Sequence, residues 1–139
     1  GPLCNVALAR DDVAWISASG KANHAGRGHW RGLSSNSDGW GLERENTGYA
    51  TGPRAEPWRD RQHQVAARIL AALISISVGA DMVCEHKEWT SRKIDCHTVA
   101  GDYMRQLIAH YLGMDSHPKP PPTVIPLSIE KKFILLEAA

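Results

Sequence analysis

The stretch Gly39-Trp-Gly-Leu-Glu-Arg-Glu45 decides the predicted fold, because it alternates between side chains suited to a buried face and side chains suited to an open one. Alternate residues of a β-strand point to opposite faces of its sheet. One face then carries Trp40, Leu42 and Arg44, and the other carries Gly41, Glu43 and Glu45. A strand of this kind needs partner strands and a covering layer, and the flanking segments predict both.

The segments before this strand predict a β-hairpin followed by a long loop. Residues 4–10 and 13–17 are rich in β-prone side chains, and Asp11 and Asp12 between them favour a turn. Residues 19–39 are rich in glycine and serine and predict a loop. Long loops in compact domains are usually functional or disordered.

The segments after the strand predict two helices around another strand. Apolar residues at helical spacing predict a helix over 58–77, and Thr98 is placed to cap a second helix over 99–112. Residues 81–85 predict a short buried strand. We therefore expect an α/β (α+β) domain over residues 1–113, with a central mixed sheet flanked by helices. Residues 114–139 begin with a proline-rich stretch and predict a linker and a C-terminal tail.

The composition limits the class of function. Apolar residues make up 42% and charged residues 22% of 139 residues, which is typical of a folded domain. Basic and acidic residues nearly balance at a net charge of +1, which argues against a nucleic-acid partner. The chain has no apolar run that would span a membrane and no basic-then-apolar signal segment. Three cysteines indicate free thiols in a reducing compartment, and we expect a monomer.

The densest group of chemically capable residues lies between residues 86 and 96. His86 and Asp95 are nitrogen and oxygen donors of the kind that zinc takes, and Cys96 would offer a thiolate. Lys93 faces the same way as Asp95 in an extended segment and would stabilise a developing oxyanion. The alternative is an exposed charged loop, since the spacing of His86 and Asp95 is not a distinctive metal pattern.

Two further candidates lie outside this loop. Glu43 is an acid on a strand, suited to act as a general base on a water, although it also suits a solvated carboxylate at a sheet edge. His24, which follows Asn23 in the glycine-rich loop, would place an imidazole against a substrate. The histidines at 63, 97, 110 and 117 are interpreted as solvated.

Four segments taken together resemble the zinc-dependent N-acetylmuramoyl-L-alanine amidases of type 2, a family that includes the peptidoglycan recognition proteins. In chain order they are Ser19-Gly-Lys-Ala-Asn-His-Ala-Gly26, Gly41-Leu-Glu-Arg-Glu-Asn46, Glu85-His-Lys-Glu-Trp89 and Arg92-Lys-Ile-Asp95. The resemblance covers residues 1–112. Within the family, the chain most resembles the amidase domain of mycobacteriophage lysin A endolysins. It implies a mixed sheet flanked by helices and cleavage of the bond between N-acetylmuramic acid and L-alanine in bacterial peptidoglycan.

The resemblance also implies a role for individual residues. His86 and Asp95 would be zinc ligands, and Glu43 would act on the attacking water. Lys93 would polarise the scissile carbonyl. Substrate-binding positions would be His24, Asn23 and Trp40. An endolysin of this kind is made in the host cytoplasm and acts on the cell wall.

Two departures from the family pattern shape these expectations. The family's other zinc histidine lies on a strand before the segment that resembles residues 1–5, so we expect this chain to lack that strand and that ligand. Some relatives use cysteine as a ligand, which leaves Asp95 and Cys96 as alternatives. A non-catalytic peptidoglycan-binding module and a truncated, inactive remnant are therefore the alternative functions.

Overall fold

The computed structural model describes residues 1–74, 79–97 and 99–113, together with the backbone course of Phe133–Ala138. The described strands are β1 (Val6–Leu8), β2 (Ala14–Ile16), β3 (Gly39–Arg44), β4 (Val83–Glu85) and β5 (Phe133–Ala138). The described helices are α1 (Asp60–Ile74), α2 (His86–Trp89) and α3 (Gly101–Gly113), and a 3₁₀ turn, Ala80–Met82, precedes β4.

The strands form one mixed sheet in the order β2-β1-β3-β5-β4. β1 and β2 pair antiparallel, whereas β1 with β3, β3 with β5 and β4 with β5 pair parallel. The helices α1 and α3 pack against this sheet, so the predicted α+β class with a mixed sheet is confirmed.

The predicted hairpin is present and is closed by the two aspartates. The Asp11 carboxylate accepts a hydrogen bond from the Val13 N–H at 3.1 Å, and Asp12 takes a left-handed φ of 68°. Aspartate favours such turns because its short side chain bonds the nearby backbone and tolerates positive φ.

The main core lies between the sheet and the two long helices. Leu42 of β3 is buried there with Leu70 of α1 and Ile108 of α3. The helix predicted over 58–77 begins at Asp60 and continues to Ile74, and residues 75–78 lie outside the described part. The predicted cap, Thr98, also lies outside it, and the second helix begins at Gly101.

The C-terminal residues differ from the linker-and-tail expectation. β5 lies in the middle of the sheet, between β3 and β4, with its backbone paired on both sides. Residues 114–132 and 139 lie outside the described residues. We expected a sheet that lacks a strand, and a segment from the far end of the chain contributes one.

Candidate active site

Strand β4 and the single turn of α2 fix the position of His86. The Glu85 and Glu88 side chains form a reciprocal capping box at this junction, and the Glu88 carboxylate accepts the Glu85 N–H at 2.9 Å. Arg105 of α3 donates to both Glu88 oxygens, at 2.9 and 2.8 Å. His86 is therefore the first residue of α2, at the rigid corner where β4 meets the helix. A loop had been predicted here.

His86 and Asp95 are brought together as the sequence predicted. The His86 Nδ1 lies 2.9 Å from the Asp95 Oδ2, and the His86 side chain is only 6% exposed. A backbone hydrogen bond from the Lys87 N–H to the Asp95 carbonyl, 2.8 Å long, closes the loop between them. Burial raises the pKa of Asp95, but the His86 hydrogen bond and the nearby charges outweigh it and hold that pKa below its ordinary value.

Glu43 lies within the electrostatic field of the same residues. It is half-buried on β3, on the opposite face from Leu42. Burial and the negative charge of Asp95 raise the pKa of Glu43, against the opposing effects of His86 and Lys93. A carboxyl group with a raised pKa beside a histidine and a lysine is suited to accept and return a proton.

A pocket of about 290 Å³ opens beside these groups. Its lining brings residues of the glycine-rich loop together with residues of the 86–95 segment, among them Asn23, His24, His86 and Lys93. The loop is held in place by the Asn36 side chain, which accepts the Ala25 N–H at 2.6 Å. Residues from three of the four segments named by the resemblance thus line one cavity.

Trp40 does not lie in this pocket. It packs against the main core, on the face of β3 that also carries Leu42, so its predicted substrate contact is corrected to a packing role. Alternation along the strand places these two side chains together and away from Glu43.

The structure separates the two alternative ligands of the loop. The Asp95 carboxylate points to His86, whereas the Cys96 thiol is fully buried and accepts a hydrogen bond from the Arg44 guanidinium at 2.6 Å. Burial raises the pKa of the Cys96 thiol to about 11. A protonated, buried thiol is a poor metal ligand, so of the two residues Asp95 is the better candidate for a donor.

The donor atoms of His86 and Asp95 match the ligand types of zinc, but not their usual number. An imidazole nitrogen and a carboxylate oxygen are donor types that zinc takes, and these two atoms lie 2.9 Å apart. Within residues 1–74, 79–97 and 99–113, no group of three or more histidine, cysteine or acidic side chains is placed to hold a metal. His86 and Asp95 would therefore offer two of the three protein ligands that a catalytic zinc takes.

Sequence reasoning missed the cations that line the pocket and the charges beneath it. Arg27 and Arg92 line the cavity beside Lys93, and the Arg92 side chain donates to the Arg27 carbonyl at 2.5 Å. Arg44 and Glu85 are fully buried. The strand alternation already placed Arg44 on the face of Leu42, which was the one available signal that its charge is buried.

Comparisons with protein-family models, with curated proteins and with solved structures gave no match to this chain. Among the helices of the described residues, none combines the length and apolar character that crossing a membrane requires. We therefore infer a function from the geometry around the pocket and from the sequence motifs beside it.

Proposed function

We propose that this chain is a zinc-dependent N-acetylmuramoyl-L-alanine amidase that acts on bacterial peptidoglycan, as the amidase domain of a phage endolysin does. The observation that carries the proposal is the 2.9 Å approach of His86 Nδ1 and Asp95 Oδ2 beside the half-buried Glu43. Glu43 is far in sequence from the 86–95 segment, and the fold brings it close enough to Asp95, His86 and Lys93 for their charges to interact. A peptidoglycan recognition protein-like fold is part of this proposal.

His86 and Asp95 would hold the metal. Zinc supplies a Lewis acid that lowers the pKa of a water and polarises a carbonyl. His86 lies at the corner of β4 and α2, and the Asp95 carbonyl is bonded to the Lys87 N–H of the same turn, which favours a fixed geometry over an adaptable one.

Glu43 and the residues that line the pocket would divide the chemistry of amide hydrolysis between them. Glu43 takes a proton from the attacking water and returns it to the leaving amine, which its raised pKa favours. Lys93, at the cavity wall, stabilises the negative charge that develops on the carbonyl oxygen. His24 and Asn23 also line the pocket, and they would orient the lactyl group and the stem peptide.

The experiment uses the full chain, supplied with zinc, on purified bacterial cell walls. Mass spectrometry of the soluble products should find stem peptides that begin with a free L-alanine amine and glycan with an unsubstituted lactyl carboxyl group. Release of reducing sugars without new L-alanine termini would indicate a glycosidase and contradict the proposal. We expect a monomer that acts on the cell wall after synthesis in the host cytoplasm.

A peptidoglycan-binding module without catalysis is the second candidate, and one observation favours it. Only two metal donors converge among the described side chains, one fewer than hydrolysis of this kind requires. Sedimentation of the chain with cell walls, without zinc uptake and without product release, would support the module over the amidase.

A further inference from the structure

The buried side chains of Arg44, Glu85 and Cys96 form a network with the partly exposed Lys87 on the core side of the candidate active site. The Arg44 guanidinium is fully buried, lies 4.3 Å from the centre of the Trp58 ring and bonds the His63 Nδ1 at 2.9 Å. A guanidinium withdrawn from water is costly unless it is hydrogen-bonded, so its contacts are expected to be strongly held. One of those contacts is the Cys96 thiol.

Lys87 holds the same loop from the other side. Its ammonium group lies 3.0 Å from the fully buried Glu85 carboxylate and donates to the Cys96 carbonyl at 2.6 Å and to the Val99 carbonyl. Its backbone N–H bonds the Asp95 carbonyl. Cys96, which directly follows Asp95, is therefore hydrogen-bonded at its side chain by Arg44 of β3 and at its carbonyl by Lys87 of α2.

The chain order of β3 links this network to the pocket. Glu43 and Arg44 are neighbours on one strand, so they point to opposite faces of the sheet. Glu43 faces His86 and Asp95, whereas Arg44 reaches the loop that carries Asp95 from beneath. One rigid strand thereby sets the spacing between the proposed base and the proposed metal ligand.

We propose that Arg44 and Lys87 are positioning residues, which clamp Cys96 so that the Asp95 carboxylate stays against His86. This inference rests on the proposed function for its consequence in zinc binding, but the clamp itself is a property of the metal-free chain. Groups that orient a ligand from behind typically contribute 10–100-fold to metal affinity. The clamp would supply that contribution here through the backbone of the 95–97 segment.

The test compares Cys96→Ala, which removes the acceptor of the Arg44 bond, with Cys96→Ser, which keeps one. The first readout is hydrogen exchange of the Lys87 amide in the metal-free full chain, since that amide bonds the Asp95 carbonyl. We expect Cys96→Ala to speed this exchange about tenfold and Cys96→Ser to restore it, because one lost hydrogen bond is worth about that factor. The Asn5 amide, which bonds the Gly41 carbonyl, should be unchanged in both variants.

The second readout is zinc affinity, measured by competition with a chelator of known affinity. We expect a loss of about 10–100-fold in Cys96→Ala and recovery in Cys96→Ser. Ile108→Val, which trims a buried side chain of α3 and removes no hydrogen bond, serves as the control for general destabilisation. Unchanged Lys87 exchange in Cys96→Ala, or equal acceleration in Ile108→Val, would overturn the clamp. Accelerated exchange in a chain that binds no zinc would support the clamp and contradict the proposed amidase instead.

Discussion

The His24 ring lies directly over the Cα of Gly41, so closely that a methyl group at position 41 would stand 2.5 Å from the His24 Cγ. The absence of a side chain on β3 thus creates the space that the imidazole occupies. Glycine in a strand commonly marks such a close approach. The contact joins the glycine-rich loop to the strand that carries Glu43.

Gly41→Ala should therefore displace His24 and reduce the rate of wall hydrolysis by at least about tenfold, since small misplacements at an active site are costly. Hydrolysis of dye-labelled cell walls measures the rate, and circular dichroism checks the fold. Gly20→Ala is the matched control, because a Cβ there meets nothing within 4 Å. Equal rates for Gly41→Ala and Gly20→Ala would remove His24 from the mechanism.

Glu43→Gln should lower the hydrolysis rate by about 100-fold or more while the chain stays folded, because the amide cannot accept the proton of the attacking water. The comparison is Glu45→Gln, which removes a neighbouring carboxylate that is paired with Arg10 outside the pocket. Loss of activity in Glu45→Gln alone would contradict the assignment of Glu43 as the base.

The raised pKa of Glu43 has a consequence for stability. A carboxyl whose pKa is higher in the folded than in the unfolded state stabilises the fold below its unfolded pKa, which is near 4.5. That contribution is lost as the pH rises through the raised folded value. Glu43→Gln should therefore raise the melting temperature at pH 7.5, with a smaller gain at pH 4. A lower melting temperature at pH 7.5 would contradict the assigned burial.

The same shift determines the acidic limit of activity. If Glu43 must be ionised to accept a proton, the rate of wall hydrolysis should fall with decreasing pH at a midpoint above 4.5. A pH–rate profile at saturating zinc measures that midpoint. A midpoint at or below 4.5 would indicate that an unperturbed carboxyl limits the reaction.

Glu88→Ala should lower the free energy of unfolding by about 2–3 kcal/mol, because it removes a bidentate pair with Arg105 and half of the capping box of α2. Urea denaturation measures this loss. Asp102→Ala is the control, since Asp102 also bonds Arg105 but its side chain is 84% exposed. Its removal should cost less than about 1 kcal/mol.

Leu135→Pro should destabilise the domain by about 3 kcal/mol or more, because a proline cannot donate to the ladder of a strand that is paired on both sides. Leu135→Ile keeps the backbone N–H and serves as the control. Unchanged urea unfolding of Leu135→Pro would mean that β5 is not a member of the sheet.

The parts of the fold that follow from local rules could be predicted from sequence. The hairpin with its Asp11–Asp12 turn, strand β3 and both long helices depend on spacing and turn chemistry over a few residues, and they were predicted. β5 could not be, because a proline-rich segment separates it from the rest and its partners are distant in the chain. Pairing of that range depends on the whole sheet.

The site shows the same division. The approach of His86 to Asp95 was predicted from motif order, whereas the burial of Arg44 and His63 was not. His63 was expected in solvent, but α1 buries it beside Arg44, and burial followed by that positive charge lowers its pKa to about 4. Trp40 was expected to contact substrate and packs on the core instead. Each of these depends on which face of an element is covered, which short patterns do not specify.

The measurement that tests the central claim most directly is a zinc titration of the full chain, followed by cell-wall hydrolysis at each zinc level. We expect about one zinc ion per chain and hydrolysis that rises in parallel with zinc uptake. His86→Ala and Asp95→Ala should each lose both zinc uptake and hydrolysis. Zinc uptake and hydrolysis that are unaffected by both substitutions would contradict a metal centre built on His86 and Asp95.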